Sequence, residues 1–196
     1  LNEKKIMIIA FIAAAAVFMV LVAGLSYLRD TIKNPKDVTS KLDTRLLGSI
    51  YHEKKSKSIK LRKKKEFVSM LISNPLRSFQ YAESNKMMSS RVRSYMDKEN
   101  AKTLLVTSVM ENEGKSTVAA NLALGLAQEG SRVMLIDCDF RKPAQYKIFD
   151  MEGKDADDLG KVLTGKAGTE NLICNWNDTN LYMILNRTSS NSIEAL

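Results

Sequence analysis

The sequence predicts an α/β fold, with one transmembrane helix ahead of a domain built on a parallel sheet. Three observations predict it. Residues Ile6 to Leu28 carry no charge. A short apolar run, Thr103 to Ser108, leads through a loop into Gly114-Lys115-Ser116-Thr117 and then into an alanine- and leucine-rich stretch. A second apolar run, Arg132 to Ile136, ends in Asp137-Cys138-Asp139.

The charge-free span comes first. About 23 residues make a helix of about 34 Å, enough to cross a hydrocarbon core of about 30 Å. A secretory signal has a shorter apolar core and a small-residue cleavage site, whereas this span runs directly into basic sequence. Lys4 and Lys5 precede it; Arg29, Lys33, Lys36, Lys41 and Arg45 follow it closely. The excess of positive charge on the C-terminal side places that side in the cytoplasm and the span in the inner membrane. The chain of 196 residues begins at Leu1 and shows no terminal signal at Leu196, so it is read as a fragment.

Residues 29–77 read as a basic juxtamembrane linker, between an anchor at 1–28 and a catalytic-type domain at 78–196. Pro35 should interrupt any helix continuing from the span. Residues 51–65 are too charged to pack and read as a mobile tether. The net charge of +8 calls for an anionic partner. Lys54 to Lys65 lies close enough to the membrane for lipid headgroups to serve. No aromatic-interleaved basic motif supports nucleic acid, and none is expected as a partner. Two cysteines and one histidine exclude a disulfide framework and a thiolate or imidazole metal site. Cys138 and Cys174 read as buried or partly buried thiols. A half-polar helix is expected from Ser78 to Met96.

The informative segment starts at Thr103. Strand, loop, Gly-Lys-Ser-Thr, helix is the layout of a Walker A P-loop. Backbone N–H groups at the start of the helix face phosphate oxygens, and the helix dipole favours their charge. Lys115 would reach the terminal phosphates, Ser116 would ligate Mg²⁺ through its hydroxyl, and Thr117 would bind phosphate. The first glycine of the general pattern is replaced by Val109. Asn112 stands where glycine would be easy, and asparagine tolerates the left-handed conformation better than most residues. Gly130 should end the helix. The next strand would deliver Asp137 and Asp139 beside the loop, at the C-terminal edge of a βαβ unit where ligands sit. Two such carboxylates can serve a Mg²⁺-bound phosphate and an incoming hydroxyl.

These residues carry a family resemblance. Leu104 to Ser108, Glu113-Gly114-Lys115-Ser116-Thr117 and Asn121-Leu122-Ala123 resemble the P-loop of bacterial tyrosine kinases of the capsule and exopolysaccharide type. Asp137-x-Asp139-x-Arg141-Lys142-Pro143 resembles their second motif, Walker A′. The span and its Asn34-Pro35 and Leu47-Gly48-Ser49-Ile50 stretches are similar to the last span of polysaccharide co-polymerases, to which such kinases are fused. Asp158 to Gly165 resembles a helix and Leu-x-Gly turn, Leu181 to Leu185 the next strand, and Asn191 to Leu196 the start of a further helix. The resemblance implies a partial P-loop NTPase domain that binds ATP and Mg²⁺. Lys115, Asp137 and Asp139 would be catalytic. Glu113, Gly114, Lys115, Ser116, Thr117 and Arg141 would bind nucleotide, and Ser116, Asp137 and Asp139 would hold the metal. It also implies phosphoryl transfer to tyrosine on neighbouring subunits, and a partner in the polysaccharide export machinery.

The sequence departs from the family at three places. No apolar strand ending in Asp, the family's Walker B, lies between Leu185 and Leu196. The six tyrosines are scattered rather than clustered. The oligomerisation motif aligns with Glu83, Lys86 and Ser89 rather than with a glutamate and two arginines. Two other readings stay open: a non-catalytic chain-length regulator with a vestigial P-loop, and an ATPase of the septum-placement or partition type. The latter carries a second lysine where this chain has Met110, and lacks a membrane span.

Overall fold

The computed structural model describes residues 3–28, 35–42, 44–53, 70–151 and 158–187. The chain divides into two units, Leu1–Leu46 and Leu47–Leu196. Residues 54–65 of the expected tether 51–65, and 191–196, expected to start a helix, lie outside the described residues; Tyr51 and Glu53 are not tether but are tied to the second unit, where the Tyr51 N–H donates to Ser84 Oγ and the Glu53 carboxylate accepts from the Ser78 N–H.

In the first unit, α1 spans Glu3–Leu28 and none of its residues is buried. Its 26 residues make it about 39 Å long. It is apolar all round, as a helix facing hydrocarbon on every side must be. By length and composition it can cross a membrane. A short helix, α2, spans Pro35–Lys41. Proline opens it, where the missing N–H costs nothing.

The second unit holds the sheet. Helix α3, Phe79–Lys98, starts where Ser78 accepts a hydrogen bond from the N–H of Tyr81 at 3.3 Å. Helix α4 spans Lys115–Gln128. Its composition, LALGLA in the middle, favours helix and leaves it apolar on two faces. Gly130, at φ +91°, ends it; the Ser131 N–H reaches back to the carbonyl of Leu126 at 3.1 Å, the Schellman closure. Strands β1 (Val133–Ile136), β2 (Ile173–Asn175) and β3 (Leu181–Ile184) form a sheet in the order β1-β3-β2. β1 runs parallel to β3, with Val133 opposite Leu181, and β2 runs antiparallel to β3. Two short helices, α5 (Gln145–Ile148) and α6 (Leu159–Leu163), lie beyond the strand ends.

Two apolar clusters sit on the two faces of α4. Ala120, Ala123, Leu124 and Ala127 pack with Leu181 and Met183 of the central strand, with Leu185 just past its end, and with Ile148 and Phe149. Leu122 packs with Met88 and Val92 of α3, and with Leu47, Ile50 and Val106. At the helix crossing, a Cβ added to Gly125 would lie 2.3 Å from Ser89 Oγ and 2.9 Å from Ser89 Cβ. Ser89 is therefore buried under α4 rather than displayed for a neighbouring subunit, because the missing side chain at Gly125 lets the helices approach this closely. Asn121 secures the same contact. Its Oδ1 accepts from the Ile72 N–H at 2.8 Å, and its Nδ2 donates to the Met70 carbonyl and to the Tyr81 hydroxyl.

One expected strand is not in the sheet. Thr103 to Ser108 has no strand pairing among the described residues, and Leu105 is 84% exposed. The expected βαβ unit through α4 is thus not closed; the parallel pair is β1 with β3. A cavity of about 820 Å³ separates Lys102–Thr107 from Met134–Ile136 of β1. The physical reason is a missing neighbour: apolar β-branched residues favour a strand only where another strand or face is there to pack and bond.

Candidate phosphate and metal site

The first turn of α4 and the turn after β1 meet at the C-terminal edge of the sheet. Two left-handed residues shape the loop before α4: Asn112 at φ +63° and Gly114 at φ +89°. The second caps the helix, so its glycine is required by backbone conformation rather than by space. Asn112 adopts the conformation expected of it. Glu113 folds back along the loop, its carboxylate accepting from the Met110 N–H at 3.0 Å.

On the other side, the ladder continues one residue beyond β1, where the Asp137 N–H donates to the Ile184 carbonyl at 2.9 Å. Asp137 is buried. Its Oδ1 accepts from the Asp139 N–H at 3.1 Å; its Oδ2 accepts from the N–H groups of Ala144 and Gln145 at 3.2 and 3.1 Å. Burial pushes its carboxyl above the ordinary value, and the three N–H groups offset only part of that. Asp137 therefore organises its own turn, with little bonding capacity left over. Asp139 is freer. Its Oδ1 accepts from the Lys142 N–H at 2.9 Å, and its Oδ2 lies 2.8 Å from the Lys115 ammonium. Partial burial pushes the Asp139 carboxyl up, but the Lys115 hydrogen bond and the backbone donors outweigh it, and the net shift is downward. The same hydrogen bond raises Lys115.

Lys115, Ser116, Asp137, Asp139 and Arg141 line the one cavity together. Glu113, Gly114 and Thr117 do not line it. Most of that cavity extends away from the carboxylates, between Lys102–Thr107 and β1, so its size says little about a nucleotide. Cys138 is exposed, against the sequence expectation, because the turn projects past the end of β1. Cys174 is partly buried, as expected.

Sequence reasoning missed two features. Lys142 Nζ lies 2.6 Å from Glu111 Oε2, an exposed pair that holds the Glu111 carboxyl below its ordinary value. Gln145 donates through Nε2 to the Ser116 carbonyl at 3.0 Å. Both join residues about thirty apart in sequence. Opposite charges at Glu111 and Lys142 are a weak signal for the first; nothing in the sequence marks the second.

Comparison with known proteins agrees with this layout. Residues 104–196 match the model of the CobQ/CobB/MinD/ParA nucleotide binding domain. The chain is 41% identical over 80 residues to the tyrosine-protein kinase YwqD of Bacillus subtilis, covering 41% of this chain and 33% of that protein. It is 40% identical over 90 residues to the tyrosine-protein kinase CpsD of Streptococcus agalactiae, covering 46% and 38%.

Over those stretches the chain is similar to bacterial tyrosine kinases. It spans well under half the length of those two relatives. The fold agrees too: the chimerical protein CapA2B2 superposes with a TM-score of 0.60 at 25% identity, over 81% of this chain and 62% of that one. The tyrosine-kinase likeness and the mixed α/β fold with a parallel strand pair are as the sequence led us to expect.

Proposed function

We propose that the second unit binds ATP with Mg²⁺ as part of a protein-tyrosine autokinase that controls capsule or exopolysaccharide assembly, anchored in the inner membrane by α1. The observation that carries this reading is the Lys115–Asp139 pair. A lysine at the first turn of a P-loop helix holds a carboxylate oxygen at 2.8 Å, and that carboxylate occupies the kind of position a phosphate oxygen would take.

The residues present suit Mg²⁺. The Ser116 hydroxyl, the open lone pair of Asp137 Oδ1 and the Asp139 carboxylate are hard oxygen donors. Among the described residues, no group of three or more His, Cys, Asp or Glu side chains gathers, here or elsewhere, so the protein supplies only the two carboxylates and a hydroxyl. Few protein ligands are what Mg²⁺ takes when phosphate oxygens and water complete its shell. When bound, the metal would neutralise charge on the transferring phosphoryl group.

The protein's own part is positioning. Lys115 leaves Asp139 for the terminal phosphates, guided by the N–H groups of the α4 first turn. Asp139 is then free of its lysine partner and faces the metal and the incoming tyrosine hydroxyl. It accepts the tyrosine hydroxyl proton while the tyrosine oxygen bonds to the γ-phosphorus and ADP leaves. Asp137 keeps the turn rigid through its three N–H bonds. Acceptor tyrosines on neighbouring subunits and contact with the export machinery follow from the family.

The test is a fluorescent-ADP titration of the full chain in detergent, with Mg²⁺. Lys115→Met should weaken binding about a hundredfold or more, an effect on the scale of losing a charge-assisted phosphate contact. Equal affinity in the two proteins would overturn the reading. The unpaired Thr103–Ser108 segment and Val109 at the loop entrance, 97% exposed, favour a second reading: a chain-length regulator with a vestigial P-loop. Nucleotide binding without any tyrosine phosphorylation, in a protein extended past residue 196, would favour that one.

A further inference from the structure

From the turn organised by Asp137, Asp139 reaches the Lys115 side chain and Gln145 reaches the main chain of the P-loop helix. Gln145 is 4% exposed. Its N–H donates to Asp137 Oδ2, and its Nε2 donates to the Ser116 carbonyl. Its Oε1 is buried and has no hydrogen-bond partner. Methionine or leucine would fill the same space without stranding a polar atom, so packing alone does not account for an amide here. The residue lines the cavity that Lys115, Ser116, Asp137 and Asp139 also line.

The unpaired acceptor has a natural donor nearby. A serine hydroxyl that ligates a cation offers its lone pair to the metal and must hand its proton to another acceptor. The Gln145 amide already holds the main chain of Ser116. The Ser116 hydroxyl, on the residue whose carbonyl this amide already holds, is the donor its unpaired oxygen can serve.

We propose that Gln145 is a positioning residue of the metal–nucleotide site, a role that rests on the nucleotide reading above. Its Nε2 fixes the Ser116 turn against Asp137, and its Oε1 accepts the Ser116 hydroxyl proton when Oγ faces the cation. It touches neither phosphate nor metal. It orients the residue that does.

The test uses the full chain in detergent and reads the Mg²⁺ concentration needed for tight binding of fluorescent ADP, alongside ADP affinity in EDTA. Gln145→Met should raise the Mg²⁺ requirement about tenfold or more, on the scale of other outer-shell losses, and leave the EDTA affinity unchanged. In a Ser116→Ala background, which lacks the hydroxyl, Gln145→Met should add no further change in the Mg²⁺ requirement. If Gln145→Met lowers thermal stability but keeps the wild-type Mg²⁺ dependence, or shifts it equally in both backgrounds, Gln145 is only a structural tie and the proposal is wrong. If Gln145→Met does not fold, Gln145→Leu is read in the same way. Failure of wild type itself to bind ADP would instead overturn the nucleotide reading, and this role with it.

Discussion

Thr103 to Ser108 and Val133 to Ile136 are both short apolar runs leading into a motif, yet only the second lies in the sheet. Val133 to Ile136 has β3 beside it, and each of its residues has a partner in register. Thr103 to Ser108 flanks a cavity instead, with Val106 alone tucked against the α3–α4 cluster. The two segments differ in neighbours rather than in composition. Strand propensity is realised only where another strand supplies packing and backbone bonds, so the same pattern gives a strand in one place and an extended, exposed segment in the other.

Paired and unpaired residues should differ most in what they contribute to stability. Met183 of the central strand is fully buried, and Leu105 of the unpaired segment is 84% exposed. Met183→Ala should destabilise the second unit by about 2–5 kcal/mol through transfer and cavity terms. Leu105→Ala should move stability by no more than about 0.5 kcal/mol. Urea unfolding of the full chain measures both. A large loss at Leu105 would mean the segment is packed after all, and the distinction drawn here would fall.

How much of this was legible in the sequence depends on how local each feature is. The α1 span, the Gly114–Lys115 helix start, the left-handed Asn112, the Gly130 stop and the β3 strand are set by residues within one or two turns, and the sequence named them. Asp137 and Asp139 were expected at a strand end and lie there, though their division of labour was hidden. That division depends on Ala144, Gln145 and Lys142 folding back, a turn that pattern reading did not resolve. The pairing of Thr103 to Ser108 was illegible because a strand's apolar pattern carries no information about whether a partner is present. Burial of Ser89 was equally hidden. It follows from a helix crossing set by Gly125, thirty-six residues away in sequence.

That crossing sharpens the comparison from the side of α4. One face of the helix packs on the paired strands, and the other packs on α3 and Val106. Gly125→Ala inserts a methyl group into the second interface at 2.3 Å from Ser89 Oγ. It should cost about 1–3 kcal/mol, because the overlap involves Ser89 Cβ as well as a hydroxyl that can rotate. Ser89→Gly in the same protein should recover most of it, and a double-mutant cycle on urea unfolding reads the coupling. Additive effects would show that the two helices stand further apart than described.

The smallest effect lies where the two segments' loops meet. Lys115 follows the unpaired segment, Asp139 follows the paired strand, and their ion pair joins the two. Both side chains are partly exposed, at 37% and 23%, so water screens the attraction and Asp139→Asn should cost under about 1 kcal/mol. The sign with pH is fixed by direction. The Asp139 carboxyl is lowered from 3.8 in the folded chain, so its contribution is full above 3.8 and is lost as pH falls through the lowered value. The Lys115 ammonium is raised from 10.5, so its contribution is full below 10.5 and is lost as pH rises through the raised value. Wild type and Asp139→Asn should therefore differ across neutral pH and converge in acid. Asp137 runs the other way: burial raises its carboxyl, so its ionisation opposes folding as pH rises above 3.8. Comparing wild type with Asp139→Asn cancels the Asp137 contribution only if the two carboxylates titrate independently. A difference that persists below the lowered Asp139 value would show instead that the substitution acts through the turn's hydrogen bonds, such as that from the Lys142 N–H, and not through the charge pair.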